Sequence, residues 1–220
     1  VSSPVAARLL KEEAMIKDFI HVDRKIAEIM VSKGDVSELP RDLENYSFNV
    51  DQVVKEGDRL DLGSGIVWTI YETPGHSPCH ISLCEKKEET LVIGDTTGFY
   101  APHKNAFWPN YLESLENYCN SIRKLSTLSA RRGALSHHGV IEGLDKEYFR
   151  KALKATESYH LEMVESLGKG EDPKQIALDK ANWVSTLTDR QPYELMVSVA
   201  RILIKRSQSE ANKKDLFTLP

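Results

Sequence analysis

His76, Asp95 and the pair His137-His138 are the residues of this sequence whose types and placement could do chemistry. Each follows a short run with strand character. His76 lies in the turn Thr73-Pro74-Gly75-His76-Ser77-Pro78-Cys79-His80 after residues 66–71, Asp95 directly follows 91–93, and His138 follows 133–135. Side chains carried on loops above a rigid sheet are where sites are usually built. Neutral imidazoles and an ionised carboxylate converging on one point suit a hard-to-borderline metal such as zinc, iron or manganese, and they bind it at neutral pH without a costly proton rearrangement. Gly75 and Gly139 permit sharp backbone turns beside the histidines, and Pro74 and Pro78 stiffen the first turn. Taken singly, each of these residues has a commonplace structural role. It is their recurrence at three strand ends that points to a metal.

The elements that must position them follow from the apolar period. Leu60 and Leu62 alternate, Gly63-Ser64-Gly65 makes a turn, and Ile66, Trp68 and Ile70 alternate again, which predicts a β-hairpin. Strands are expected over 80–84, 91–93 and 133–135. A helix is expected from Pro4 to about Ile20 and a second over 24–31, within a polar stretch ending in Pro40 and the Asn/Asp-rich 45–51. Residues 96–110 read as a long loop carrying Phe99, Tyr100, Phe107 and Trp108, and 111–125 as a helix. Beyond 144 the pattern is all helical. Asp145 and Asp172-Pro173 start two helices, Thr188-x-x-Gln191 fits a capping box for a third, and the residues from about Ser207 are expected to fray. Strands alternating with helices up to 144, followed by a helical cap over 145–220, define an α/β layered arrangement.

Composition excludes several classes. The chain is 40% hydrophobic and 28% charged with a formal net charge of −4, which makes no electrostatic case for nucleic acid or an anionic membrane. No apolar run approaches the roughly 18 residues of a membrane span. Three cysteines without a C-x-x-C spacing argue for free thiols and a cytoplasmic location, and against a disulfide framework or a cysteine zinc site.

The stretches Thr73-Pro74-Gly75-His76-Ser77-Pro78-Cys79-His80-Ile81-Ser82-Leu83, then Gly94-Asp95-Thr96, then Ser136-His137-His138-Gly139 together resemble the second half of a metallo-β-lactamase-fold hydrolase, the superfamily of glyoxalase II and the acyl-homoserine lactonases. The resemblance covers roughly residues 1–144. It implies the second half of an αββα sandwich with a C-terminal helical extension. It also implies His76 as a metal ligand, Asp95 as a carboxylate bridging two metals, and His138, followed by Gly, as the third ligand with His137 as the alternative. His80 is then a neighbour of the site rather than a ligand. Cys79 stands where the pattern usually has Gly.

One piece of the family pattern is absent. The signature H-x-H-x-D-H, which precedes this region in the family, has no counterpart, and His21-Val22-Asp23-Arg24 is the nearest approach. The chain opens on Val1, and its first residues resemble the segment that follows the signature. An N-terminal half is therefore expected to be missing, whether cleaved, separate or omitted, and the chain alone is expected to be inactive.

The function implied is a metal-dependent hydrolase that attacks an ester, lactone or thioester with a metal-bound hydroxide, using two divalent ions, zinc first and iron or manganese as alternatives. No side chain of this chain is expected to act as nucleophile. Tyr100, His103, Phe107 and Trp108 are the candidates for a substrate wall. The competing readings are a nuclease or oxidoreductase on the same fold, and a degenerate, non-catalytic binding protein. The expected partners are a small-molecule substrate, the missing N-terminal segment and, as an option, a second copy in a homodimer.

Overall fold

The computed structural model describes residues 1–39, 49–213 and 215–220, so Pro40 and the part of the expected polar loop up to residue 48 lie outside the described residues. The chain opens with α1 (Pro4–Leu9) and α2 (Glu13–Ser32). Ser3 caps α1 by accepting the Ala6 N–H, with proline at the first helical position, where its missing N–H costs nothing. The single helix expected from Pro4 to about Ile20 is broken. The chain turns at Leu10–Glu12, where the Lys11 and Glu12 N–H groups bond back to Arg8 and Leu9. α2 then runs without interruption through His21–Arg24, because Ile16, Ile20, Ala27 and Val31 sustain one helical stripe.

Among the described residues eight strands follow: β1 (Arg59–Asp61), β2 (Val67–Glu72), β3 (Ile81–Glu85), β4 (Thr90–Gly94), β5 (Phe99–Ala101), β6 (Ala106–Trp108), β7 (Arg132–Leu135) and β8 (Val140–Glu142). Six of them form one sheet in the order β1-β2-β3-β4-β7-β8. β2 pairs antiparallel with β3, β3 antiparallel with β4, and β4 parallel with β7. So β2, β4 and β7 all run in the same direction, and the loops leaving them emerge at one edge of the sheet. Those loops carry His76, Asp95 and His137-His138.

The two faces of this sheet differ. The row Thr69, Cys84, Leu91, Gly133 and Ile141 lies on the face that joins the main core with Tyr118, Cys119, Ile122 and Leu125 of α3 (Leu115–Ser126). The opposite face carries Ile70, Leu83, Val92, Ala134 and Val140, with Trp68 beside Ile70. It is equally apolar, yet Trp68, Leu83, Val92 and Ala134 are only half-buried and Val140 is exposed. Near this sheet, Ser2 and Val53 form an isolated parallel bridge.

Two expectations along the middle of the chain change. Residues 99–108 are not a plain loop but the hairpin β5–β6, joined by one 3₁₀ turn (Pro102–Lys104), with Asn105 left-handed at its end. Helix α3 starts at Leu115 rather than at 111, because Ser114 caps it and the Glu113 and Ser114 N–H groups are taken by the Gly75 carbonyl.

The cap consists of α4 (Lys146–Gly168), α5 (Pro173–Ser185) and α6 (Tyr193–Ser209), with Asp145 and Asp172 as the expected caps of the first two. The capping box at Thr188 does not form. Thr188 Oγ1 takes the Arg190 N–H within a turn, and α6 begins after Pro192. The tail does not fray at Ser207 either. Ser207 is buried against the Tyr111 hydroxyl at 2.8 Å, and Leu216 and Phe217 are buried behind it. Tyr111 is itself fully buried, and the bond satisfies a phenol hydroxyl that water cannot reach. One apolar cluster runs without a break from the hairpin residues Phe107 and Trp108 into Tyr148 and Phe149 of α4.

Candidate metal centre

The first imidazole is placed by the turn between β2 and β3. Gly75 has φ +123°, a conformation open to glycine, and a Cβ there would overlap the Tyr118 backbone of α3. The Gly75 carbonyl accepts the Glu113 and Ser114 N–H groups at 2.9 and 3.2 Å, which pins the turn to the start of that helix. His76 Nδ1 lies 3.1 Å from the Asn110 carbonyl oxygen. A carbonyl can only accept, so Nδ1 carries the proton and Nε2 presents its lone pair. That Nε2 is 4.0 Å from Oδ2 of Asp95.

Asp95 follows the irregular end of β4. Its Oδ2 accepts the Ser136 hydroxyl at 2.9 Å, and its Oδ1 lies 3.5 Å from His137 Nε2. The two carboxylate oxygens thus face different imidazoles. Both His76 and Asp95 keep about a fifth of their side-chain surface exposed, which leaves the site accessible.

His80 belongs to the same turn but plays a different part. Its Nε2 accepts the Asp95 main-chain N–H at 3.0 Å, so Nδ1 holds the proton and donates to Thr73 Oγ1 at 2.8 Å. Thr73 continues to Ser82, which with Thr96 reaches the Ile93 carbonyl. Both ring nitrogens are used, and neither is available to a metal. Burial first, and the neighbouring His76 second, push the His80 pKa down to about 4, so the ring is neutral at physiological pH.

His137 and His138 stand at the tip of the turn after β7. His138 adopts φ +66°, a strained conformation for a residue with a Cβ, followed by Gly139 at φ +74°. Both rings pack on Phe99, His137 at 5.3 Å and His138 edge-on at 4.7 Å, and His137 Nε2 also lies 3.5 Å from Asp95 Oδ1. Burial, with His137 and His103 nearby, lowers the His138 pKa. Of the two candidates for the third ligand, His138 and the alternative His137, it is His137 that lies beside Asp95 in this structure, at 3.5 Å, while Gly139 completes the reversal of the chain.

The expected substrate wall is divided. His103 lines a cleft of about 580 Å³ together with His138, Thr188 and Arg190. Tyr100 and Phe107 stack on one another at 4.5 Å and on Tyr148 of the cap, and Trp108 is buried beside Phe99. Tyr100, Phe107 and Trp108 thus help to hold the hairpin to α4. Ser136, Asn110 and Thr73, which hold the site together, were not singled out from the sequence. Ser136 stands next to the histidine pair, but no local pattern marks Asn110, whose contribution is a main-chain carbonyl.

Among the described residues no group of three or more His, Cys, Asp or Glu side chains is gathered closely enough to hold a metal ion. His76, Asp95 and His137 meet only pairwise, through the carboxylate. The donor types are those that divalent cations take: two imidazole Nε2 atoms, one with its tautomer fixed from behind, stand on either side of a carboxylate braced by a hydroxyl.

The chain is a mixed α/β protein with histidines and an aspartate gathered at one edge of its main sheet. The sequence model of the metallo-beta-lactamase superfamily matches residues 6–137, and the chain belongs to that superfamily. An atrochrysone carboxyl ACP thioesterase from Aspergillus fumigatus is 29% identical over 105 residues, covering 46% of this chain and 31% of that protein. A hydroxyacylglutathione hydrolase from Methylobacterium nodulans is 34% identical over 80 residues, covering 36% of this chain and 31% of that protein. Among solved structures, a metallo-beta-lactamase family protein from Thermus thermophilus superimposes with a TM-score of 0.51 at 18% identity, over 84% of this chain and 58% of that one. A beta-lactamase domain protein from Burkholderia ambifaria gives 0.50 at 16%, over 78% and 50%. The fold is the one expected, the relatives are hydrolases by name, and the chain matches about a third of the length of these curated relatives. Among the described residues no helix is long and apolar enough to cross a membrane.

Proposed function

We propose that this chain carries the later metal ligands and the cap of a hydrolase that cleaves an ester, lactone or thioester, with the thioester favoured because one relative is named a thioesterase. The observation that carries the reading is the Asp95 carboxylate, with one oxygen towards His76 and the other towards His137, at a single sheet edge. In this reading His76, Asp95 and His137 hold two divalent ions, zinc foremost, with Asp95 shared. When bound, such ions supply Lewis acidity towards a carbonyl and an activated water. The chain's own residues orient the ligands. The Asn110 carbonyl fixes the His76 tautomer, Ser136 braces Oδ2 of Asp95, and the His80 ring holds the Asp95 main chain.

The remaining ligands come from a further segment. The half-exposed apolar sheet face with Trp68, Leu83, Val92 and Ala134 supports this, since a face of that kind is stable only when covered.

The test is metal analysis and thioester and lactone hydrolysis on the full natural polypeptide, beside residues 1–220 alone. The reading expects about two metals per full chain with turnover, and neither property in 1–220 alone. A metal-free, inactive full polypeptide would refute it.

A further inference from the structure

Helices α4 and α5 both pack on α6, and between them a groove of about 570 Å³ stays open, closed at one end by the hairpin strand β6. Its apolar lining is Ala106 and the buried Phe107 from the hairpin, Ala155 and the buried Tyr159 from α4, and the half-buried Trp183 from α5. The last two rings lie 6.0 Å apart at a 45° tilt. Lys180 is buried among them, its ammonium 4.7 Å from the centre of the Tyr159 ring and 6.0 Å from that of Trp183. One of its three N–H donors goes to Glu162 at 2.6 Å, and no other acceptor among the described residues takes the remaining two.

The charge in the groove is unbalanced. Lys151 and Lys154 line its α4 side and make no ion pair among the described residues. Glu162 is committed to Lys180, and the Asp179 carboxylate accepts the Gln175 amide at 2.9 Å. Three ammonium groups thus stand against two carboxylates. A volume of this size, with aromatic walls and a few charged groups, has the make-up of a small-molecule pocket. The walls favour a flat apolar body, and the surplus ammoniums with the unclaimed Lys180 donors favour an anionic oxygen.

We infer that the α4–α5 groove binds a small planar molecule carrying a carboxylate, its ring against Tyr159, Trp183 and Phe107 and its carboxylate on Lys180 and Lys154. None of these residues touches Asp95, so the site does not depend on the proposed hydrolysis. The test uses 2-naphthoate and its neutral counterpart 2-naphthylmethanol on the full natural polypeptide. Binding is followed by calorimetry and by the NMR shift of the Trp183 indole N–H. Naphthoate is expected to saturate and to bind at least about tenfold more tightly than the alcohol. The double variant Lys151→Glu, Lys154→Glu alters exposed positions, so the fold survives, and it is expected to weaken naphthoate about tenfold while leaving the alcohol unchanged. Trp183→Ala is expected to abolish both. The inference is overturned if naphthoate does not saturate, if acid and alcohol bind alike, or if the lysine double variant binds naphthoate as the parent does.

Discussion

The main-chain N–H of Asp95 donates to Nε2 of His80 at 3.0 Å, and this one bond separates the roles of the two histidines in the turn after β2. With Nε2 occupied and Nδ1 donating to Thr73, His80 is a structural strut beneath the carboxylate. His76, with only its Nδ1 engaged, keeps Nε2 for whatever Asp95 also holds.

Replacing His80 by Ala should therefore orphan the Asp95 N–H and remove one partner of the fully buried Thr73 hydroxyl, which keeps its bond to Ser82. The expected loss is about 1–3 kcal/mol for the N–H left unpaired, read from denaturant midpoints at constant slope. A loss under about 0.5 kcal/mol, the range of a neutral surface change, would show that the strut carries no load.

Metal affinity in the full polypeptide should separate the histidine pair. His137→Ala is expected to weaken zinc binding about a hundredfold or more, and His138→Ala less than about tenfold, because loss of a ligand costs more than loss of a neighbour. Competition with a chromogenic chelator measures both. The opposite order would return the ligand role to His138.

Gly94 offers a test of how tightly the strut is seated. A Cβ there would come within 2.5 Å of His80 Nε2, and φ is +61°. Gly143, with φ +70° and nothing within 4 Å, is the control. Gly143→Ala should cost about 1–2 kcal/mol for the left-handed backbone alone. Gly94→Ala should cost more by the displacement of His80. Equal costs in thermal or denaturant unfolding would mean that the ring yields freely.

Acid stability should depend on His160, fully buried on α4, with neither ring nitrogen hydrogen-bonded and Phe217 of the tail at 5.9 Å. Burial lowers its pKa, and Glu210 offsets this only in part. In the unfolded chain the ring takes up its proton near the ordinary value of about 6.5. The unfolded state then binds more protons than the native state, so stability is fully present above that value and falls as pH drops below it. His160→Leu should flatten the slope of unfolding free energy against pH below about 6.5, leaving the part due to His80 and His138, whose pKa values are also depressed. An unchanged slope would count against this.

Much of the scaffold was legible because its signals are local. The alternation around Gly63–Gly65, the Ser-Pro and Asp-Pro helix starts and the three strand-end stretches each depend on neighbours a few residues away, and β2, β3, β4, β7, α4 and α5 stand close to where they were expected. The hairpin β5–β6 was not legible. Its three-residue strands are held by Phe99 facing Trp108 and by Tyr100 and Phe107 stacked on Tyr148, contacts made across the fold. The fraying tail failed for the same reason, since Tyr111 holds Ser207 from far along the chain, whereas the capping box at Thr188 gave way to a local turn in which the hydroxyl takes the Arg190 N–H.

The sequence by itself determined that His76, Asp95 and the pair His137-His138 each end a strand, since strand, turn and glycine are written in adjacent residues. Only the tertiary structure decided which histidine of the pair reaches Asp95, and it alone gives the bonds that occupy both nitrogens of His80, the residue the family resemblance already set beside the site, and leave His76 Nε2 free. Those choices depend on the reversal of the chain at His138-Gly139, on a main-chain N–H from a neighbouring strand and on a carbonyl at residue 110. Hydrogen bonds of that kind are set by how strands and loops are laid side by side, which residue types at single positions do not encode.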